Sequence, residues 1–105
     1  MKRERVLTLR QSTSLNTPWL ERLMARARLA QGDAKGAHEW IDSALLKLTN
    51  ELFRSEFLEL KYDIRHALGD EQASSDLEAA LAASQKDKER LRLQEKLDRV
   101  RNMVR

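Results

Sequence analysis

The sequence predicts an all-α protein in which antiparallel helix pairs form a short solenoid, followed by a terminal helix. Three observations lead to this fold class. The 105 residues include only three glycines and one proline, too few for a sandwich or barrel with a turn every ~8–12 residues. From Thr17 onward, apolar residues recur every three or four positions, as in amphipathic helices. A helix–turn–helix pattern also recurs after 36–37 residues.

Composition excludes several other classes of protein. The chain has no cysteine, which removes disulfides, thiolate metal sites and cysteine nucleophiles. No apolar run approaches the ~18–20 residues of a membrane span, and no secretory leader is recognisable. We therefore expect one cytoplasmic domain without membrane association.

Apolar periodicity and charge together divide the chain into three parts. Residues 1–16 lack a helical apolar period and hold four basic residues against one acid, so they are predicted to form a flexible basic arm. Residues 17–85 carry the two predicted helix–turn–helix units. Residues 86–105 hold eight basic and four acidic residues and are predicted to form a basic amphipathic capping helix.

Capping residues define the first helical hairpin. Thr17 is a suitable N-cap with Pro18 at the first helical position. Gly32 ends this helix, and Asp33 caps the second, which runs to about Thr49. The predicted apolar stripes are Trp19, Leu20, Leu23, Ala27 and Ala30 in the first helix, and Ala37, Ile41, Ala44, Leu45 and Leu48 in the second.

The second hairpin follows the same scheme. Asn50 is a plausible cap for the third helix, Gly69 ends that helix and Asp70 caps the fourth. A fifth helix starts near Lys86 and continues to the end of the chain. The predicted stripes are Leu52, Phe53, Phe57, Leu60, Ile64 and Ala67 or Leu68 in the third helix, and Ala73, Leu77, Ala80, Leu81 and Ser84 in the fourth.

The recurrence of Gly32-Asp33 as Gly69-Asp70 leads to a family resemblance. Over roughly residues 17–85 the chain resembles the tetratricopeptide repeat (TPR) family, in a degenerate bacterial form. The resemblance implies a right-handed superhelix that binds a peptide or helix in a concave groove and has no catalytic activity. Lys61 or Tyr62 stands where that family usually has a small residue. The matching residues are Ala25, Gly32, Asp33, Ala37, Ile41 and Ala44 in the first copy, and Gly69, Ala73, Leu77 and Ala80 in the second.

The expected function is therefore protein–protein interaction, as a small adaptor, chaperone or assembly subunit. Arg22 and Arg26 lie 37 residues before Glu59 and Asp63, so each arginine is predicted to approach the equivalent acid. Either these charges form an inter-repeat ion-pair ladder, or they form a mixed-charge groove that binds a partner. Trp19 is either a hot spot of that groove or a core residue. The predicted protein-binding residues are Trp19, Arg22, Arg26, Glu56, Glu59 and Asp63.

The terminal helix has two alternative functions. Two repeats are fewer than the ~3 that a solenoid usually needs, so the chain is predicted to contact a partner protein or a second copy of itself. The contact surface is either the apolar stripe of this helix or the Trp19 end of the molecule. Its basic residues alternatively suggest a small nucleic-acid-binding regulator, recognisable by steep salt dependence of DNA binding. The predicted partner or oligomer face is Leu93, Leu97, Val100 and Val104.

The sequence predicts no enzyme, metal site or cofactor. It has no phosphate-binding glycine loop, nucleophile elbow or zinc-protease motif. His38 with Asp42, and His66 with Asp70, would each supply two metal ligands where a site needs three or four.

Overall fold

The computed structural model describes residues 16–103, and the regular structure of that part of the chain is entirely helical. The all-α prediction is confirmed for these residues, whereas the predicted basic arm lies outside them except for Asn16. The α-helices are α1 (Thr17–Ala30), α2 (Ala34–Lys47), α3 (Arg54–Ala67), α4 (Ser74–Ala83) and α5 (Asp87–Met103), and a 3₁₀ turn, Glu51–Phe53, precedes α3.

Each helix packs against the next one in the chain, and α1 also contacts α3. The core has two clusters that meet at α3, which gives Phe57 and Ile64 to one and Tyr62 to the other. The first cluster contains Ala25, Ala37, Ile41, Ala44, Leu48, Phe57, Leu60 and Ile64. The second contains Tyr62, Ala73, Leu77, Ala80, Leu93 and Leu97.

The turns after α1 and α3 have the same backbone hydrogen bonds. Gly32 and Gly69 adopt φ angles of +85° and +78°, which glycine reaches without the strain of a side chain. The Asp33 N–H donates to the Arg28 carbonyl at 2.9 Å, and the Asp70 N–H donates to Arg65 at 3.0 Å. Both helices therefore end in a Schellman motif.

Two predicted caps are close to what the structure shows. Asp33 caps α2 as predicted, since its Oδ1 accepts a hydrogen bond from the Gly36 N–H at 2.9 Å. Asn50 caps the 3₁₀ turn that leads into α3, accepting from the Leu52 N–H at 3.0 Å. Thr17, predicted as an N-cap, is itself the first residue of α1.

The prediction that Asp70 caps the fourth helix is wrong. Its Oδ1 accepts from the Gln72 N–H at 2.9 Å, but α4 begins only at Ser74. From Asp70 to Ser75 the backbone forms hydrogen bonds between residues three apart. The Ala73 N–H donates to the Asp70 carbonyl, and the Ser75 N–H donates to the Gln72 carbonyl. This tight turn replaces the first turn of the expected helix.

Candidate protein-binding surface

Helix α1 contacts its neighbours through a face that combines apolar and polar residues. Ala25 is fully buried, and Leu29 packs against the first cluster. Glu21 is also buried and faces α2. Its carboxylate accepts hydrogen bonds from Ser43 Oγ at 2.9 Å and Lys47 Nζ at 2.8 Å. The contact between α1 and α2 is therefore partly ionic.

A second apolar face of α1 is left uncovered within the described chain. Leu20, Leu23 and Met24 are 52%, 61% and 40% exposed, and Ala27 is exposed too. Their spacing of three or four residues places them on one side of the helix. We call these four residues the outer stripe. The prediction that Leu20, Leu23, Ala27 and Ala30 face the core is wrong, because all four are exposed.

Other exposed large hydrophobic residues among positions 16–103 are scattered. Leu46 lies on α2, Leu52 in the 3₁₀ turn and Leu68 just after α3. Leu91 and Met103 are both on α5, but twelve residues apart. Single exposed apolar residues are normal on protein surfaces, whereas contiguous ones mark interaction sites. Only the outer stripe meets that description in this part of the chain.

Trp19 and Arg22 lie where α1 meets α3. The Trp19 ring contacts Phe53 and Phe57 edge-on, with centroids 5.0 and 5.1 Å apart. The Arg22 guanidinium carbon lies 5.6 Å from the Phe57 centroid and 5.8 Å from that of Trp19. These contacts favour core packing for Trp19, which nevertheless stays partly exposed. Among residues 16–103, the buried Arg22 Nε has no hydrogen-bond partner.

A charged network joins α3 to α5. Arg92 Nη1 and Nη2 donate to the two carboxylate oxygens of Glu59 at 2.8 and 2.6 Å. Lys96 Nζ donates to Glu59 at 2.9 Å and to Asp63 at 3.0 Å. The Arg92 hydrogen bonds, opposed by burial and assisted by Lys96, lower the pKa of Glu59 from 4.5 to about 2. Glu59 is therefore a carboxylate held in its charged form by its neighbours.

The predicted pairs Arg22–Glu59 and Arg26–Asp63 are wrong. Both acids pair with α5, while Arg22 stacks on aromatic rings. Arg26 is exposed and forms no ion pair with any residue of 16–103. Glu56 is partly buried and likewise unpaired within those residues. The structure thus brings Glu59 and Asp63 together on cations of α5, whereas neither Arg22 nor Arg26 forms an ion pair within residues 16–103.

The apolar stripe of α5 is used inside the chain. Leu93 and Leu97 are 0% and 2% exposed in the second cluster, and Val100 packs against it. The predicted partner or oligomer face is therefore a core face at Leu93 and Leu97, because α3 and α4 already cover these side chains. Val104 lies outside the described residues.

Intramolecular contacts engage many basic residues of α5. Arg92 and Lys96 bind the α3 carboxylates, and Arg101 donates to Glu78 at 2.7 Å. Arg90 donates to carbonyl groups at the end of α4, at 3.2 and 3.3 Å. These are four of the seven basic residues at positions 86–103. Because binding to a phosphate backbone needs available cations, this arrangement does not favour the nucleic-acid alternative.

Apart from these surfaces, the described residues form one further cavity of note. A cavity of about 310 Å³ lies between the end of α3, the start of α4 and the end of α5. Tyr62 stacks on His66 there, with centroids 5.6 Å apart, and the charged residues that line it are exposed. Residues 16–103 contain no group of three or more potential metal ligands. None of their helices is both long and apolar enough to cross a bilayer.

Comparison with known proteins leaves the family open. No protein-family model matches the chain. No curated protein and no solved structure matches it either. The TPR resemblance therefore depends on the residues of this sequence alone.

Proposed function

We propose that this chain is a non-catalytic protein–protein interaction module, a TPR-like right-handed solenoid that docks a helix of a partner on the outer stripe of α1. The observation that carries the proposal is the exposure of Leu20, Leu23 and Met24, between 40% and 61%, on one face of one helix. An amphipathic partner helix uses the same spacing of anchors, at positions i, i+3, i+4 and i+7.

The opposite end of the helix series supports this assignment. The terminal elements of a stacked helical array need polar outer faces to stay soluble. Helix α5 has such a face, on which Leu91 is the one apolar residue. Helix α1 does not, so its outer stripe has the character of a face that another helix covers. The exposed residues of the α5 face, three or four apart, are Asp87, Leu91, Glu95, Asp98 and Asn102.

The turns between the helices support the TPR-like part of the proposal. Gly32 and Gly69 are 37 residues apart and have the same left-handed backbone. The aspartate that follows each one bonds back to the equivalent arginine carbonyl. Ion pairs also recur at equivalent positions. Arg28 Nη1 lies 3.6 Å from Asp33 Oδ2, and Arg65 Nη2 lies 2.8 Å from Asp70 Oδ2. A repeated structural unit accounts for all of these equivalences.

The apolar contribution of the stripe to binding is moderate. Full burial of a leucine or methionine side chain contributes about 1.5–3 kcal/mol, and each of these three is already about half buried. Covering Leu20, Leu23 and Met24 therefore contributes about 3 kcal/mol in total. Since association itself costs several kcal/mol, a specific complex needs further contacts at the edges of the stripe.

Site-specific crosslinking tests the proposal. A photo-crosslinking amino acid is placed at position 23 or at position 91 of the full chain in its native cells. Leu23 and Leu91 are matched, at 61% and 63% exposure. We expect position 23 to give a discrete adduct with a partner protein and position 91 to give none. The proposal fails if both positions give the same adducts, or if position 23 gives no adduct.

A polar substitution provides the matched control. Leu20→Gln is combined with the crosslinker at position 23, and Leu46→Gln is combined with it in parallel. Leu46 is 89% exposed on α2. We expect Leu20→Gln to reduce the adduct strongly and Leu46→Gln to leave it unchanged. Thermal melts of both variants show that the fold is retained.

A further inference from the structure

Two arginines border the outer stripe, one along each edge. Arg26 follows Leu23 by three residues, and Arg28 follows Met24 by four. Residues at these spacings are neighbours on a helix surface. Because Leu23 and Met24 stand on opposite sides of the stripe, the two arginines flank it.

Within the described part of the chain, α1 itself presents no free carboxylate on that side. Glu21 is the only acidic residue of the helix, and it faces α2, where Ser43 and Lys47 bind it. Arg26 has no ion pair within residues 16–103. Arg28 lies 3.6 Å from Asp33 in a pair whose side chains are 45% and 44% exposed. Within residues 16–103, the edge at Arg26 therefore carries an unpaired positive charge, and the edge at Arg28 carries a positive charge that the solvent-exposed Asp33 balances only through a long contact.

The α3–α5 contact pairs acidic residues of one helix with basic residues of the other. There, Glu59 and Asp63 on one helix meet Arg92 and Lys96 on the other. Helix α1 presents only the basic half of such a set. Electrostatic complementarity at interfaces places opposite charges across from one another, so the matching acids have to come from whatever covers the stripe.

We propose that the outer stripe docks an acidic amphipathic helix of a partner protein. The apolar residues of that helix cover Leu20, Leu23 and Met24, and its flanking carboxylates pair with Arg26 and Arg28. This inference rests on the proposed function, helix docking at the stripe, and adds the charge that the partner must carry. The Coulomb attraction supplies the edge contacts that the apolar area alone lacks.

Charge argues against two other occupants. A second copy that docks through the same face brings the same arginines, and like charges across an interface are unfavourable. Residues 1–15 of the chain itself hold four basic residues and one acid, so they carry the same sign as the edges of the stripe. A helix with aspartate or glutamate on its flanks matches both the apolar centre and the basic edges.

Three synthetic helical peptides test the charge preference. They share one apolar stripe and carry glutamate, glutamine or lysine at the flanking positions. Binding to the full chain is measured by fluorescence anisotropy at low and high salt. We expect the glutamate peptide to bind at least about tenfold more tightly than the lysine peptide at low salt. We also expect this difference to shrink as salt screens the charges.

Charge-neutral variants locate the effect on α1. Arg26→Gln and Arg28→Gln are each expected to weaken binding of the glutamate peptide by about two- to fivefold. Neither change is expected to alter binding of the glutamine peptide. Lys88→Gln and Arg99→Gln, at exposed positions of α5, are the matched controls and are expected to leave all three affinities unchanged.

The outcomes separate this inference from the proposed function. Equal affinity for the three peptides overturns the acidic preference, while an adduct at position 23 still supports helix docking. No binding of any peptide at about 1 mM also overturns the inference, and the crosslink alone then decides the proposed function. If position 23 crosslinks to residues 1–15 or to a second copy of the chain, the stripe has another occupant and the inference fails.

Discussion

The first and last helices of the described chain differ in where their leucine-rich face lies. This face is buried in α5 and exposed in α1. Helix α5 buries Leu93 and Leu97 and exposes a face on which Leu91 is the only large apolar residue. Helix α1 buries Pro18, Glu21 and Ala25, and exposes Leu20 and Leu23. Apolar residues of similar spacing are therefore core in one helix and surface in the other.

Charge distinguishes the two helices in the same way. The basic residues of α5 that face α3 meet two carboxylates there, and Glu59 is held ionised with a pKa of about 2 by Arg92 and Lys96 against the effect of burial. The exposed Arg26 of α1 has no such partner among the described residues. The charges of α5 that face α3 are thus paired within the chain, whereas α1 exposes both apolar area and a positive charge.

The largest expected effect is loss of the α5 anchor. Leu97 is 2% exposed in the second cluster, so Leu97→Ala leaves a cavity as well as removing apolar contacts. We expect the free energy of unfolding to fall by about 2–5 kcal/mol, measured by urea denaturation. Leu91→Ala, on the exposed face of the same helix, is expected to cost less than about 0.5 kcal/mol. Similar losses for both variants would contradict the assignment of the two faces.

The next largest effect concerns the ionic contact between α3 and α5. Glu59→Gln removes the charge that Arg92 and Lys96 bind, and we expect a loss of about 1–3 kcal/mol at pH 7. The folded pKa of about 2 is below the ordinary value of 4.5. The contribution of Glu59 is therefore complete above about pH 4.5 and is lost as the pH falls towards 2.

Urea denaturation of both proteins across this pH range measures the effect. The difference between wild type and Glu59→Gln should be constant above about pH 4.5 and disappear near pH 2. Glu95→Gln, at an exposed position of α5, is the control and should change the free energy of unfolding at pH 7 by less than about 0.5 kcal/mol. A difference that persists unchanged at pH 2 would mean that the carboxylate charge is not what stabilises this contact.

A smaller effect is expected at the outer stripe. Leu23 is 61% exposed, so Leu23→Gln removes little buried area from the isolated chain. We expect the free energy of unfolding to change by less than about 0.5 kcal/mol, in contrast to Leu97→Ala. A loss comparable to that of Leu97→Ala would show that the stripe is covered within the chain, and it would remove the basis of the docking proposal.

The core of the fold was predictable from capping and periodicity because both are local. Gly32 and Gly69 marked two helix ends, and Asp33 marked a helix start. The orientation of α1 was not predictable in this way, since that helix has two apolar faces. The larger residues, Leu20 and Leu23, suggested the core face, whereas Ala25 occupies it. Ala25 was itself part of the TPR resemblance, so a signal for the correct face was present.

The ion pairs also show what sequence spacing alone fails to predict. Spacing by 37 residues places Arg22 before Glu59 and Lys96 after it, so a carboxylate on α3 has a basic residue at the equivalent position on each side. Which one it pairs with depends on the packing of three helices and not on the spacing. Arg22 instead lies over Phe57 and Trp19. The sequence predicts the charged positions, but the tertiary structure decides their partners.

The smallest expected change in stability comes from Arg26→Glu, which tests whether Arg26 pairs with Asp63. Arg26 forms no ion pair with the described residues, and it lies four residues after Arg22, a spacing at which like charges repel weakly. Arg26→Glu is therefore expected to change the free energy of unfolding by less than about 0.5 kcal/mol, in the stabilising direction. Asp63→Arg is expected to be destabilising because it removes the partner of Lys96 and places a like charge beside it.

A double-mutant cycle gives the decisive measurement. If Arg26 and Asp63 do not interact, the effects of Arg26→Glu and Asp63→Arg add within about 0.3–0.5 kcal/mol. The cycle of Lys96→Gln with Asp63→Asn should instead show a coupling energy above that range, because those side chains are 3.0 Å apart. If Arg26→Glu were destabilising and Asp63→Arg restored the stability, α1 and α3 would share an ion pair. The basic edge of the outer stripe would then be occupied from within the chain, and Arg26 would not be available to an acidic partner.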